Sequence, residues 1–431
     1  MSTKHSKAAA EFLKNKKQAA WHDETLWLVR AKRDRLSKEV PEWEELRNMA
    51  CATKLYSNSH LDELLVEFEN NARANGAHVY WAKDADEYCN IVYNILNQHG
   101  VKHFIKSKSM LAEECELNPF LESKGIEVVE SDLGERILQL MHLKPSHIVL
   151  PAIHIKREQV GELFEQEMGT EKGNFDPTYL THAARKNLRQ KFIHAEAAMT
   201  GGNFAVASTG EVVVCTNEGN ADMGTSQPKL QIAAFGMEKI VPDRESLGVF
   251  TRLLARSATG QPITTYTSHY RKPREGGELH IIIVDNGRSK ILADPKHIKT
   301  LNCIRCGACM NTCPVYRRSG GYSYTYFIPG PIGINLGMAH DPEKYYDNLS
   351  ACSLCMSCSD VCPVKVDLAE QIYKWRQDLD GLGKANTGKK IMSGGMKFLM
   401  ERPALFNAAL WAAPVVNGLP RFMKYNDFDD W

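Results

Sequence analysis

The fold of the C-terminal part of this chain is decided by two cysteine-rich runs: CIRCGACMNTCP at residues 303–314 and CSLCMSCSDVCP at residues 352–363. Both follow the spacing C-x2-C-x2-C-x3-C-P, in which three cysteines hold one iron-sulfur cluster and the fourth ligates the other cluster. The spacing predicts two [4Fe-4S] clusters with crossed ligation. The expected ligands are Cys303, Cys306, Cys309 and Cys362 for the first cluster, and Cys352, Cys355, Cys358 and Cys313 for the second.

Zinc is the competing interpretation, since C-x2-C pairs also occur in zinc sites. A zinc site needs four ligands and gives no reason for the third cysteine or the terminal Cys-Pro of each run. Disulfides fit less well, because the N-terminus does not resemble a secretion signal and we expect a reducing, cytoplasmic location. Four cysteines share no ligand spacing and are expected to be small apolar residues: Cys51, Cys89, Cys115 and Cys215.

The composition bounds the remaining possibilities. A chain of 431 residues predicts about two to three domains. A formal net charge of +1 argues against nucleic-acid binding, which a basic excess usually accompanies. No apolar run is long enough for a transmembrane segment, and peripheral membrane contact through partners stays open.

The pattern of apolar residues predicts four regions along the chain. Residues 1–75 have helical spacing, and their basic run RAKRDRLSK at residues 30–38 is expected to be a solvated helix face. Residues 76–295 alternate strand and helix patterns, which predicts an α/β domain with a mostly parallel sheet. Residues 296–380 form the helical cluster domain, and residues 381–431 form a tail that packs on this chain or on a partner.

Within the α/β region, the expected strands cover residues 77–81, 102–106, 126–129, 146–153, 204–207, 212–215 and 279–284. The expected helices cover residues 84–99, 113–124, 134–141 and 178–199, with a further helix ending near residue 258.

Glycine-rich loops near residues 201–224 are candidates for ligand binding, because such loops at strand ends present backbone N–H groups to anions. Plain hairpin turns are the alternative, and no G-x-G-x-x-G fingerprint is present. A turn after the strand at residues 279–284 adds two candidates, for which a turn-stabilising ion pair is the alternative. The candidate loop residues are Gly201, Gly202, Asn203, Thr209, Asn217, Glu218, Asn220, Asp285 and Arg288.

The segment between the cysteine runs is rich in glycine, proline and tyrosine, which suits an ordered cover over the clusters. Arg305, Arg317 and Arg318 either offset the negative charge of the clusters or face solvent. Asp367 is placed to cap a helix that carries Leu368 and Ile372 on one face.

Several longer phrases resemble the lactate utilisation protein B family over most of residues 5–380. They include KSKSM at 106–110, SDLGERILQL at 131–140, TNEGNADMG at 216–224, LARSATGQPITTY at 254–266 and VDNGR at 284–288. The resemblance implies a lactate-utilisation domain with a fold like the sugar-phosphate isomerase and CoA-transferase group, followed by a helical ferredoxin module. In that family the position of Cys352 is often serine, whereas this chain has all eight cysteines.

The resemblance also implies a function. We expect an iron-sulfur electron-transfer subunit of a complex that oxidises L-lactate to pyruvate, with two partners: a cysteine-rich subunit similar to heterodisulfide reductase, and a second subunit with a lactate-utilisation domain. The sequence identifies no catalytic residue. Two alternatives stay open: a ligand-binding or transferase-like α/β enzyme with structural or sensory clusters, and a cluster subunit of another 2-hydroxy acid or glycerol phosphate oxidase.

Overall fold

The computed structural model describes residues 4–379, 381–384 and 387–417. The chain divides into two compact units, Met1–Trp375 and Arg376–Trp431. Helices cover most of residues 4–74, as the spacing of their apolar side chains predicts. They are α1 (Lys4–Lys14), α2 (Lys16–Lys38), α3 (Trp43–Ser59) and α4 (Leu61–Ala74).

An α/β layer follows, in which short apolar segments form strands and amphipathic segments form helices. The strands are β1 (His78–Ala82), β2 (His103–Lys106), β3 (Glu127–Glu130), β4 (Ala197–Gly201), β5 (Phe204–Val206), β6 (Glu211–Thr216), β7 (Leu230–Gly236), β8 (Ile240–Val241), β9 (Tyr266–Tyr270) and β10 (Glu278–Val284). The helices are α5 (Ala85–Gln98), α6 (Met110–Glu114), α7 (Leu117–Ser123), α8 (Leu133–Leu140), α9 (Arg157–Met168), α10 (Pro177–His194), α11 (Asn220–Ser226), α12 (Arg244–Thr259) and α13 (Arg288–Leu292).

The described strands pair into a large and a small sheet. The large sheet has the order β1-β10-β7-β4-β2-β3, and all its strands are parallel. The small sheet has the order β8-β5-β6-β9. The predicted α/β fold with a mostly parallel sheet is therefore confirmed. Because the large sheet is parallel, the carboxyl ends of its strands share one edge, where ligands bind in folds of this kind.

Apolar side chains cover both faces of the large sheet. On one face, Phe68 of α4 packs edge to face on Phe235 of β7, with ring centroids 5.1 Å apart. On the other face, Val92 of α5 and Leu121 of α7 pack with Ile282 of β10 in a second buried cluster. Burying each of these large side chains contributes about 1.5–3 kcal/mol. The two layers hold the strand ends in fixed positions.

Three secondary-structure predictions in this region were wrong. The helix expected over residues 113–124 is two short helices, α6 and α7, because Glu116 between them has a φ angle of 52°. Residues 146–153 form turns instead of a strand, because Pro151 lacks the N–H group that strand pairing needs. This segment packs on the cysteine-rich part of the chain, and Tyr316 Oη donates a hydrogen bond to the Ser146 carbonyl at 2.6 Å. Helix α10 ends at His194 instead of residue 199, because the buried residues from Ala197 onward pair in the sheet as β4.

The cysteine-rich part of the first unit is mainly helical. Its helices are α14 (Ala308–Thr312), α15 (Pro314–Ser319), α16 (Gly330–His340), α17 (Pro342–Tyr345), α18 (Ser357–Asp360) and α19 (Leu368–Asp378). Leu368 and Ile372 of α19 are buried, as predicted. The Asp367 carboxylate pairs with Lys299 at 2.6 Å.

The N-terminal helices contact the cysteine-rich part directly. Arg33 of α2 is buried, and its guanidinium donates a hydrogen bond to the Val361 carbonyl at 3.0 Å. Arg47 of α3 donates to the Cys362 carbonyl at 2.9 Å. The basic run at residues 30–38 is therefore not wholly a solvated face, because the buried Arg33 within it bonds to the main-chain carbonyl of Val361 in the second cysteine run.

The second unit contains α20 (Thr387–Met400) and α21 (Pro403–Asn417). The predicted tail, residues 381–431, contains both of these helices, and its last residues, 418–431, lie outside the described part of the chain. No helix among the described residues combines the length and the apolarity of a bilayer span.

Candidate metal centre

The two cysteine loops have the same backbone conformation. Arg305 and Leu354, each two residues after the first cysteine, have φ angles of 60° and 56°. Gly307 and Met356, each directly after the second cysteine, have φ angles of 78° and 64°. Non-glycine residues rarely adopt positive φ, and such strain concentrates at functional sites. Its recurrence at matching positions shows that the two runs form one repeated structure.

Backbone N–H groups point at the sulfur atoms of the first and last cysteine of each run. Hydrogen bonds of this kind stabilise negative charge on a thiolate, and they tune the potential of a cluster that the thiolate binds. The four bonds are Arg305 N to Cys303 Sγ at 3.4 Å, Leu354 N to Cys352 Sγ at 3.3 Å, Tyr316 N to Cys313 Sγ at 3.4 Å, and Val366 N to Cys362 Sγ at 3.4 Å.

The thiols interact electrostatically in two sets that cross the two runs. Cys362 of the second run interacts with Cys303 and Cys306 of the first. Conversely, Cys313 of the first run interacts with Cys352 and with the other cysteines of the second set. One set contains Cys303, Cys306, Cys309 and Cys362, and the other contains Cys313, Cys352, Cys355 and Cys358. Cys309 also interacts with Cys358, so the two sets are neighbours.

Burial disfavours free, charged thiolates at these positions, so the cysteines are suited to bind metal. It raises the pKa of the Cys306 and Cys358 thiols to about 12, and that of Cys313 and Cys362 to about 11. A bound metal replaces those protons and neutralises the buried thiolates. Eight thiols in two sets of four, with N–H groups directed at four of them, fit the donor requirement of two cubic clusters.

The segment between the runs covers this centre with buried residues, as the sequence predicts. Tyr316 and Tyr324 are buried, and helix α16 is buried along residues 330–338. Of the three arginines considered as counter-charges, Arg305 is largely buried, Arg317 pairs with Asp23 at 3.3 Å, and Arg318 is exposed.

A cavity of about 400 Å³ lies between the large sheet and the first cysteine run. Its walls include Ser107 after β2, Gly201 at the end of β4, Gly236 at the end of β7, and Arg288 after β10. Cys306 also lines it. The carboxyl edge of the sheet and the first metal site therefore share one cavity, and we call it the sheet-edge cavity.

The structure brings most of the predicted loop residues to this cavity. Those that line it are Gly201, Gly202, Asn203, Asn217, Glu218, Asn220 and Arg288. At Gly202, a Cβ atom would lie 2.8 Å from the Phe235 Cβ, so glycine is required for the close approach of β4 and β7.

Two of the predicted loop residues do not line the cavity. The Thr209 carbonyl accepts a hydrogen bond from Asn75 at 2.9 Å, beside α4. Asp285 lies in the turn before α13, and its carboxylate accepts a hydrogen bond from the Ser289 N–H at 2.8 Å. Asp285 stabilises the turn through Ser289, and the Arg288 guanidinium contacts only its carbonyl, at 2.9 Å.

A buried charge network lies between the cavity and Cys303. Arg288 pairs with Glu114 at 2.9 Å and with Glu238 at 2.5 Å. Arg305 pairs with Glu238 at 3.5 Å. Burial alone would raise the pKa of Glu238, but Arg288, Lys239 and Arg305 lower it to about 2.

Cations outnumber acids in this network. Burial lowers the pKa of Lys54 to about 7 and that of Lys239 to about 8. Lys54, Lys239 and Arg305 each interact electrostatically with Cys303. The network therefore places positive charge beside the first set of thiols.

Sequence reasoning missed several members of the site. Lys54 lies on a helix about 250 positions before Cys303, and Glu238 follows a strand that was not predicted. Ser107 and Lys108 could have been found from the sequence, because they follow β2 within the segment KSKSM, which resembles the lactate utilisation protein B family.

Comparisons with known proteins agree with both parts of the site. Residues 65–291 match the family described as LUD domain, and residues 299–366 match the 4Fe-4S dicluster domain. The dicluster match, with the eight cysteines, gives this chain two [4Fe-4S] clusters.

Proteins named lactate utilization protein B are similar over most of their length. The one from Geobacillus thermodenitrificans is 41% identical, with 88% of this chain and 81% of the relative covered. The one from Bacillus pumilus is 42% identical, with 88% and 82% covered. A protein from Escherichia coli named uncharacterized electron transport protein YkgF is 38% identical, with 94% and 87% covered. A solved structure of a DUF162 family protein from Deinococcus radiodurans aligns with a TM-score of 0.30 at 16% identity, covering 52% of this chain and 98% of that one.

Proposed function

The chain belongs to the lactate utilization protein B family, and from that premise we propose that it is the electron-transfer subunit of a complex oxidising L-lactate to pyruvate. The chain is an iron-sulfur protein of lactate utilisation. The observation that carries the proposal is the pair of matched cysteine loops with their two crossed sets of thiols.

The proposed ligand sets follow the crossed arrangement. Cys303, Cys306, Cys309 and Cys362 would hold the first cluster, and Cys352, Cys355, Cys358 and Cys313 the second. When bound, the clusters supply one-electron transfer, so a two-electron oxidation can proceed in single-electron steps.

The protein's own residues prepare the site for this role. The N–H groups that point at sulfur, together with Lys54, Lys239 and Arg305 near Cys303, stabilise added negative charge. The buried Tyr316 and Tyr324 exclude water from the second set of thiols.

The proposal includes partners. The clusters carry single electrons, and we propose that the oxidation of the substrate takes place together with other subunits. We propose a cysteine-rich subunit similar to heterodisulfide reductase and a second subunit with a lactate-utilisation domain. A reducing cytoplasm is the proposed location, because it keeps eight ligand thiols reduced during assembly.

The test is Cys306→Ala in the assembled complex under anaerobic conditions, with Cys51→Ala as the matched control, since Cys51 lies outside both runs. We expect Cys306→Ala to lower the iron content and to abolish lactate-dependent dye reduction, while the control keeps both. Full activity in the Cys306→Ala complex would contradict the proposal. Replacing lactate with other 2-hydroxy acids or glycerol phosphate identifies the substrate.

The sheet-edge cavity favours a second candidate, a ligand-binding or transferase-like enzyme with structural or sensory clusters. This candidate predicts that the cluster-loaded chain alone binds lactate, pyruvate or coenzyme A. In calorimetric titration, binding of coenzyme A favours the second candidate, and binding of none of the three compounds excludes it.

A further inference from the structure

We propose that the sheet-edge cavity is a binding site for a small 2-hydroxy or 2-oxo carboxylate, with the ligand held beside Cys306. The inference deepens the proposed function and rests on it for the substrate class. The cavity itself is evidence for a ligand of this kind, because its volume of about 400 Å³ is within the range of roughly 300–1,000 Å³ typical of small-molecule sites.

Unsatisfied hydrogen-bond donors line the cavity. Four buried polar atoms have no hydrogen-bond partner among the residues that the structure describes: Ser107 Oγ, Lys108 Nζ, Thr216 Oγ1 and Arg305 Nη1. Ser107 is only 4% exposed. Buried polar groups are nearly always hydrogen-bonded in native proteins, and each exception calls for an explanation. All four groups can donate, and two of them are cationic, so they suit an anion with several acceptor oxygens.

The ion pairs of these cations leave donor capacity for a ligand. Lys108 Nζ lies 3.4 Å from Glu135 but makes no hydrogen bond. Arg305 reaches Glu238 through Nη2 at 3.5 Å, which leaves Nη1 unpaired. A carboxylate is the natural complement, because charge-assisted hydrogen bonds to it are short and strong.

An apolar wall restricts the ligand further. Leu111, Ile148 and Leu254 line the same cavity and are buried. Inorganic phosphate has no apolar part to place against this wall. A carboxylate with a short alkyl group matches both the donors and the wall.

Glu218 suits the oxygen at the 2-position. It lines the cavity, and burial together with the neighbouring Asp132 raises its pKa to about 7. A carboxyl group that is protonated near neutrality can donate a hydrogen bond to a 2-oxo group, and in its ionised form it can accept one from a 2-hydroxyl group. This explains why both oxidation states of the substrate belong to the proposed class.

The donors could instead serve only to offset cluster charge. That alternative accounts for Arg305, which interacts with Cys303. It does not account for the unpaired hydroxyl groups of Ser107 and Thr216, since a neutral hydroxyl provides no counter-charge. A measurement of ligand binding separates the two explanations.

The experiment is calorimetric titration of the cluster-loaded, full-length chain under anaerobic conditions with L-lactate, pyruvate and inorganic phosphate. Electron paramagnetic resonance spectra of the dithionite-reduced protein are recorded with and without each compound. We expect saturable binding of lactate or pyruvate, weak or no binding of phosphate, and a change in the signal of one cluster, because Cys306 lines the cavity.

The variants Lys108→Gln and Ser107→Ala should each raise the Kd of the bound acid about tenfold or more, the range expected for a lost charge-assisted or buried hydrogen bond. The matched control Lys186→Gln, at an exposed position of α10, should bind as the wild type does. Iron content and far-ultraviolet circular dichroism establish that each variant is folded and loaded. Ser107→Ala removes a single oxygen atom and provides the second test if Lys108→Gln does not fold.

Three results would overturn the inference: neither acid binds at millimolar concentration, phosphate binds as tightly as the acids, or both cavity variants bind as the wild type does. In any of these cases the Cys306→Ala test can still succeed, because cluster-dependent electron transfer does not require this cavity to hold substrate. The failure of this inference is therefore distinguishable from the failure of the proposed function.

Discussion

Arg288→Met tests the buried charge network between the sheet and the first metal site. The Arg288 side chain is 7% exposed, and it donates to Glu114 through Nη1 and Nη2, both at 2.9 Å, and to Glu238 through Nε at 2.5 Å. Methionine preserves much of the volume but leaves two buried carboxylates without this partner. Removing one member of a buried ion pair costs about 3–5 kcal/mol.

The magnitude is checked by anaerobic urea denaturation of the cluster-loaded protein, followed by far-ultraviolet circular dichroism. We expect Arg288→Met to lower the free energy of unfolding by about 3–5 kcal/mol. Arg157→Met is the matched control. The Arg157 side chain is 66% exposed and pairs with Glu158 at 3.0 Å, so its loss should cost below about 1 kcal/mol.

The pH dependence supplies a second check. In the wild type, the pKa of Glu238 is lowered from 4.5 to about 2, so its contribution to stability is present above pH 4.5 and is lost as the pH falls toward 2. Arg288 is the first of the cations that lower this pKa, so in the variant burial dominates and protonation at low pH relieves the cost. The difference in the free energy of unfolding between the wild type and Arg288→Met should therefore become smaller as the pH falls from 7 to 4. A difference below about 1 kcal/mol, or one independent of pH, would refute the reasoning.

Two further predictions concern the metal sites and the cavity. If ligation is crossed, Cys362→Ser should alter the same paramagnetic signal as Cys303→Ser, whereas Cys313→Ser should alter the signal of the other cluster. Each variant should lower the iron content from about eight toward about four atoms per chain. Identical spectra for Cys313→Ser and Cys362→Ser would exclude crossed ligation. The pKa of Glu218, raised to about 7 by burial and by Asp132, predicts that pyruvate binds more weakly as the pH rises from 6 to 8, because the ionised carboxylate repels the anion. In Glu218→Gln this dependence should become weaker, with a remainder from Lys239, which lines the same cavity and whose pKa is lowered by burial to about 8. Calorimetric titration at several pH values would measure the change.

The metal ligands could be predicted from the sequence because their chemistry depends on local spacing. Three cysteines within seven residues form a loop around a cluster wherever that loop lies in the fold. The same locality made the helix expected over residues 84–99 predictable, and the structure places it at Ala85–Gln98, where the Asp84 carboxylate accepts from the Glu87 N–H at 2.9 Å. Local rules thus identified the cysteine loops and most of the strands.

The central strand β7 was missed because its sequence, LQIAAFG, has no alternating pattern and contains two alanines and a glycine. Its identity comes from pairing with β4 and β10, which lie far away in the chain. The charge network was missed for a related reason. Lys54, Glu238 and Arg305 look like ordinary polar residues until the fold buries them together.

The contact between Arg47 and the Cys362 carbonyl joins residues 315 positions apart. At a synthesis rate of roughly 5–20 residues per second, the ribosome needs about 15–60 s to make the second partner after the first. During that interval α3 cannot complete its contacts with the second cysteine run. Cluster insertion therefore comes late in the synthesis of the chain. A chain that ends before residue 352 lacks cysteines of both sets and cannot complete either set of four thiols.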